Sequence, residues 1–429
     1  MTLLIKNGLL VDPSQKLHDT CDILLKNGVV AEIGKDIKAA DAQLIDATGQ
    51  IVLPGIIDMH THLREPGLEA KEDIASGTRA AAMGGITRIA CMANTYPVVD
   101  KAIIVRGLKE QITKTALVHV EVIGAVTKGL EGKELAEMGD MAFAGAIAFS
   151  DDGHYVSDSR IFRAALEYAS TFDKIIIVHD EDNTLTSGGY MHEGAVSTRL
   201  GIPGLPSVSE DIAVSRDTLL AEYSNARLHV AHVASAGALE IIRQAKKRGV
   251  KVTAEATIHH LTLTDNAVEG YNTAAKIAPP LRDIAHRDAL RAALKDGTID
   301  IIVTDHSPHA FEEKDVEFRY APNGFAGLET SVGVIFTDLY HTGVLSIDEI
   351  VEKMSCAPAR LFNIDAGSLK LGKPADVTII NPNAEWAVES STFCTKGKAT
   401  PFEGKHCKGK ATWTIVAGRV VMSNGRLNE

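Results

Sequence analysis

From residue 1 to about Ile51, short apolar runs alternate with turn signals. LLIKNGLLV, DILLKNGVVAEIG and AQLIDATGQIV each contain Asn-Gly or Thr-Gly and show no helical period, which predicts short strands. From Pro54 the pattern becomes apolar run, loop and amphipathic stretch in repetition, as in parallel strands joined by crossover helices. Eight runs are candidate strands: GIIDMHTH, GITRIACMANT, LVHVEVIGAVT, GAIAFSDDG, KIIIVHDED, ARLHVAHVAS, VKVTAEATIHH and DIIVTDHSPH. Eight β/α units over roughly 270 residues match an α/β chain of the (β/α)8 TIM-barrel class. After Ile364 the strand texture returns in DVTIINPNAEWAV and ATWTIVAGRVVMSNGR. The expected organisation is a catalytic barrel over residues 54–364, and a composite β-sandwich domain built from residues 1–53 and 365–429. No long repeat of fixed period and no low-complexity segment interrupts it.

In a β/α barrel the chemistry sits at the C-terminal ends of the strands. Six of the eight candidates end in metal-competent or acid/base residues: His60 and His62, Asp152, His179, His232, His259 and His260, and Asp305. His-x-His by itself is weak, since 16 histidines in 429 residues give about 0.6 such pairs by chance. Placement strengthens it, because residues two apart on a strand share a face and both rings would point into the barrel mouth. His179 and His232 alone would each more often be hydrogen-bonded core histidines. With His60, His62 and an aspartate they form a donor set suited to one or two divalent ions of the zinc type. Alternation turns only one of Asp151 and Asp152 inward, and the other reads as a turn residue before Gly153. His229 differs from His232 in parity and reads as structural, while His259 and His260 read as packing or supporting residues rather than ligands.

Composition narrows the partners. The chain carries 44 basic and 56 acidic residues, a formal charge of −12, and no Lys/Arg-rich block, which argues against a nucleic-acid surface and for a small-molecule substrate. The five cysteines are scattered without a CxxC pair, which fits a reducing cytoplasm. No apolar run approaches the roughly 18 to 20 residues that span a bilayer, so no membrane partner is expected, and the N-terminal run reads as neither signal nor anchor.

The motifs in order, DxHxHxREPG after the first strand, single histidines ending the fifth and sixth, and TDHSPH at the eighth, resemble the metal-dependent amidohydrolase superfamily. HLREPG, MANT, FSDDG, APPLR and GLET are similar to the longer bacterial type of dihydroorotase, and GSLKLGKPADVTIINP resembles the superfamily's return to its β-sandwich. The resemblance spans essentially the whole chain. It implies that His60 and His62 bind one zinc ion with Asp305, that His179 and His232 bind a second, and that Asp152 bridges the two. Many relatives bridge with a carboxylated lysine at the fourth strand, and GAIAFSDDG has no lysine there. The implied reaction is the reversible cyclisation of N-carbamoyl-L-aspartate to L-dihydroorotate, a step of pyrimidine synthesis, with Asp305 as general base and acid.

Such a substrate carries a carboxylate. Arg64 is suited to grip it with two parallel hydrogen bonds, and the resemblance adds His62, Asn94, Ala278, His309, Asn323 and Gly324 as substrate contacts. Two positions depart from the family pattern: Ala278 stands where asparagine is usual, and Asn323-Gly324 where Phe-Gly is common, changes expected to alter affinity rather than abolish chemistry. The long segment HAFEEKDVEFRYAPNG after the eighth strand is expected to act as a mobile lid. Two rival readings are a cyclic amidase acting on dihydropyrimidine, hydantoin or allantoin, whose rings lack the carboxylate, and a non-catalytic assembly subunit, which would have lost ligands. A homo-oligomer, and association with a neighbouring pyrimidine-pathway enzyme, are further expectations from the resemblance.

Overall fold

The computed structural model describes residues 2–428. The barrel strands are β1 (Ile56–Thr61), β2 (Ile86–Cys91), β3 (His119–Gly124), β4 (Ala146–Ser150), β5 (Ile175–Val178), β6 (Leu228–Val230), β7 (Val252–Thr257) and β8 (Ile301–Val303). They pair in parallel, each with the next in chain order. The ring closes between β8 and β1 through a bridge from Thr61 to His306 and a 2.8 Å bond from the His62 amide to the His306 carbonyl. Each candidate strand from the sequence contains one of these eight. Their near-continuous apolar runs have to be covered on both faces, and crossover helices cover the outer one.

Two cores result. Ile57, Met59, Ala148, Ile175, Ile177, Ala231, Ile301 and Val303 come from strands around the ring and pack together with Ala357 and Phe362, filling the barrel. Outward residues such as Ile89, Val122 and Phe149 pack against the helices.

The chain ends join in one nine-stranded sheet that combines strands before Pro54 with strands from Val377 onward. Residues from both ends of its strand order, Val30 and Val420 among them, meet with Leu3, Ile23, Val377 and Ile415 in a separate core. The sheet therefore curls around a core of its own, flanking the barrel. Only Gly55 separates its strand Ile51–Pro54 from β1. The C-terminal part is not confined to the sandwich: residues 393–400 run back along the barrel, where the Cys394 and Thr395 amides bond the Glu329 carboxylate and Ala399 accepts from the Ala326 amide.

Candidate active site

The strand ends bring the six donors singled out in the sequence to one point. His60 Nε2 lies 3.4 Å from Asp152 Oδ1 and 3.6 Å from Asp305 Oδ1. His62 Nε2 lies 3.4 Å from Asp152 Oδ2 and 3.2 Å from Asp305 Oδ1. On the far side, His232 Nε2 is 3.3 Å and His179 Nδ1 3.7 Å from Asp152 Oδ1, and these two nitrogens are 2.8 Å apart. Asp152 thus stands between a His60/His62 pair and a His179/His232 pair, with Asp305 against the first. All six side chains are buried.

Local structure explains how the chain delivers them. A register shift between Asp58 and Thr61 breaks strict alternation on β1, so His60 and His62 reach the centre even though Ile57 and Met59 fill the barrel below. Asp58 fixes this turn by accepting from the His60 amide at 3.2 Å and from the Thr304 hydroxyl at 2.5 Å. Asp151 turns the other way, accepting from the amides of Val126 and Thr127 and from the Thr127 hydroxyl. Arg64, His232 and Asp305 have φ of 62°, 33° and 48°, left-handed conformations that non-glycine residues hold only when their surroundings impose them.

A carboxylate absent from the sequence reading supports the centre. Glu255, in the middle of β7, accepts from His60 Nδ1 at 2.5 Å, from His229 Nε2 at 3.0 Å and from the His232 amide at 3.2 Å. His229, with its other nitrogen on Thr253 Oγ1 at 2.8 Å, is the structural histidine expected from the sequence, but it is held beside the centre rather than turned away by parity. Strand pairing ends at Val230, so alternation no longer relates His229 to His232. His62 Nδ1 faces Asn94 Oδ1 at 2.9 Å, which leaves its Nε2 for the centre. His260 is satisfied by Thr257 Oγ1 and the Pro279 carbonyl, and the His259 ring packs edge-on against Phe325 at 4.9 Å.

Electrostatics set the charge states. Burial opposes a charged His60, yet Glu255, Asp152 and Asp305 outweigh it and raise its proton affinity well above the usual imidazole range. Burial likewise opposes ionisation of Asp152 and Asp305, but the surrounding histidines hold both well below the usual carboxylate range. The field at this point therefore favours a cation. His60 Nε2 is fully buried with no hydrogen-bond partner, which is expensive unless it coordinates something. His60, His62 and Asp305 form one group with ligand atoms within 4.8 Å of each other, and His60, Asp152 and His232 another. Nitrogen and carboxylate donors so arranged fit zinc-type divalent ions. A third group of this kind, His192, Asp283 and His286, fits less well. Its two imidazole Nδ1 atoms face the Arg282 guanidinium and the Ala236 amide, so Nε2 of each neutral ring carries the proton rather than a lone pair.

Above the centre lies a cavity of about 210 Å³. His62, Arg64, Asn94, Ala278, Asn323 and Gly324 all line it, beside Asp152, Asp305, His179 and His232. His309 stands behind this wall, its Nε2 2.8 Å from the Asn323 carbonyl and 3.3 Å from Arg64 Nη2, while Arg64 Nε donates to the Pro308 carbonyl. Burial and the Arg64 charge push His309 down to about 3, so the ring is neutral. Burial lowers Arg64 to about 10, still a cation at neutral pH. Gly324 has φ of 122°, and a Cβ there would lie 2.5 Å from the Ser307 carbonyl oxygen, so only glycine fits.

The expected mobile lid is not free-standing. Residues 311–326 include a short helix, Phe311–Lys314, and buried Lys314, Phe318, Ala321, Phe325 and Ala326 that tie the segment to the barrel.

The comparisons agree with this geometry. Residues 49–238 match a family model described as Dihydro-orotase-like. A dihydroorotase of Syntrophus aciditrophicus is 52% identical, the match covering 98% of this chain and 99% of that protein. One from Pelotomaculum thermopropionicum is 50% identical, covering 99% of each. Among solved structures, L-hydantoinase (dihydropyrimidinase) from Arthrobacter aurescens superimposes with a TM-score of 0.91 at 29% identity, covering 100% of this chain and 97% of that one. Identity of this order along the whole length shows that the chain belongs to the dihydroorotase family of cyclic amidohydrolases.

Proposed function

We propose that the protein interconverts N-carbamoyl-L-aspartate and L-dihydroorotate, the ring closing with loss of water and opening by its addition. The observation that carries this reading is the cationic Arg64, backed by neutral His309, on the wall of a cavity that opens directly onto the six-donor centre. A hydantoin or dihydrouracil ring offers no carboxylate to such a group, and burying an unpaired guanidinium beside a neutral ring would be unfavourable.

His60, His62, Asp152, His179, His232 and Asp305 would hold one or two zinc-type ions. When bound, these supply Lewis acidity that polarises the substrate carbonyl and lowers the pKa of water to about 7. Asp305 is ionised at neutral pH and so can accept a proton from the attacking water. On ring opening it returns that proton to the departing ring nitrogen as the carbon–nitrogen bond breaks, and on ring closure the steps reverse. Ser307 Oγ donates to Asp305 Oδ1 at 2.8 Å and aims the carboxylate. Arg64, Asn94 and the Asn323-Gly324 turn orient the substrate, while Ala278 leaves room where a longer side chain could have made one more contact. No helix among the described residues is long and apolar enough to cross a membrane, and the scattered cysteine spacing, with no CxxC pair, fits a reducing compartment. Ring opening of L-dihydroorotate by the zinc-loaded protein tests the reading, and failure to open it while opening dihydrouracil rejects it.

A further inference from the structure

The segment that brings Asn323 and Gly324 to the cavity is gripped by two buried lysines. The Lys314 ammonium donates to the carbonyls of Pro322 and Gly324, each at 2.8 Å. Lys276, from the segment after β7, donates to the carbonyls of Arg319 at 3.0 Å and Ala321 at 2.7 Å, and lies over the Tyr190 and Phe318 rings. The Gly324 amide returns a 2.9 Å bond to the Lys276 carbonyl, and Thr273 Oγ1 donates to that of Lys314. Both lysines are buried, at 6% and 5% exposure, and neither has a carboxylate in ion-pair contact among the described residues; Glu313 beside Lys314 pairs with Lys71 instead. Burial pushes Lys276 down to about 8; burial and the Lys276 charge push Lys314 to about 7.

A buried lysine without a carboxylate is among the least favourable placements a side chain can take. If the segment needed only apolar filling, methionine or leucine would serve without that cost. What ammoniums provide, and apolar chains do not, is the capture of main-chain acceptors. Four carbonyls between Arg319 and Gly324 are turned onto the lysines and hence away from the cavity, where an acceptor would repel a carboxylate.

We propose that Lys276 and Lys314 are positioning residues that latch residues 319–324 into the turn presenting Asn323 and Gly324 to an anionic substrate. The inference rests on the carboxylate-bearing substrate proposed above. Single Lys276→Met and Lys314→Met variants test it through amide hydrogen exchange of residues 319–324, zinc content, and separate KM and kcat for L-dihydroorotate. Losing a buried main-chain bond should accelerate exchange of the turn and raise KM, each by about tenfold or more, while kcat changes less than about threefold. Zinc content should stay at the wild-type value. Unchanged exchange and KM with only a lower melting temperature would overturn the latch. If the wild-type protein does not act on L-dihydroorotate, the proposed function fails and exchange alone decides the latch. If neither variant folds, exchange in the wild-type protein decides: the amides of Tyr320, Ala321 and Gly324 should be protected, and loop-like rapid exchange would overturn the proposal.

Discussion

At the scale of single residues, the arrangement separates groups that would hold metal from groups that would hold substrate. Arg64→Ala should lower kcat/KM for L-dihydroorotate about 10- to 100-fold, the worth of a charge-assisted contact, with zinc content unchanged by elemental analysis. Loss of zinc in that variant would place Arg64 in the metal centre instead. Asp305→Asn removes both a ligand and the proton acceptor, and kcat should fall by about 10² to 10⁴ even at saturating zinc. Glu255 acts through the His60 ring, so Glu255→Gln should weaken zinc affinity about 10- to 100-fold in chelator competition, with activity regained at high zinc. The six donors were legible in the sequence because strand ends concentrate them and the amidohydrolase pattern names them. Glu255 was not, since an acid in the middle of an apolar strand gives no sign of which distant ring it meets. Its place in VTAEATIHH still held a coarser signal: a buried strand tolerates a carboxylate only if something pairs with it.

At the scale of elements, near-continuous apolar runs located all eight barrel strands, because a strand covered on both faces must be apolar along its length. Alternation failed where the backbone departs from a regular strand. The irregularity after Asp58 and the end of pairing at Val230 both shift side-chain direction, and periodicity carries no record of either. The segment after β8 shows the same limit: its length and charge suggest a mobile lid, whereas Lys314 is buried against main-chain carbonyls. The tight turn at Gly324 gives a test at this scale. Gly324→Ala forces a Cβ against Ser307 in a left-handed conformation, which costs about 1–3 kcal/mol. KM should rise and stability in urea should fall together, and an unchanged KM would detach this turn from substrate binding.

At the scale of the molecule, the chain ends build a sheet whose core is separate from the barrel, yet residues 393–400 return to the barrel beside Glu329 and Glu72. The sequence pattern placed both ends in one β-rich unit, but this returning stretch has no period of its own and was invisible there. The proposed metal centre draws its donors from the C-terminal ends of β1, β4, β5, β6 and β8, so an ion there would tie most of the ring together. A ligand bound only by the native state stabilises it in proportion to its occupancy. Chelation should therefore lower the melting temperature as well as abolish activity, and zinc should restore both in a calorimetric titration. Activity lost without any change in melting temperature would mean that the ions do not bridge the strands.

The central claim is that a carboxylate-binding cavity above a metal centre makes this cyclic amidohydrolase a dihydroorotase rather than a hydantoinase. Its most direct test is the initial rate of ring opening by the zinc-loaded protein with L-dihydroorotate, dihydrouracil, hydantoin and allantoin in parallel. The expected result is turnover of L-dihydroorotate alone, abolished by chelator and sharply reduced in Arg64→Ala. Turnover of dihydrouracil or hydantoin with none of L-dihydroorotate would contradict the account.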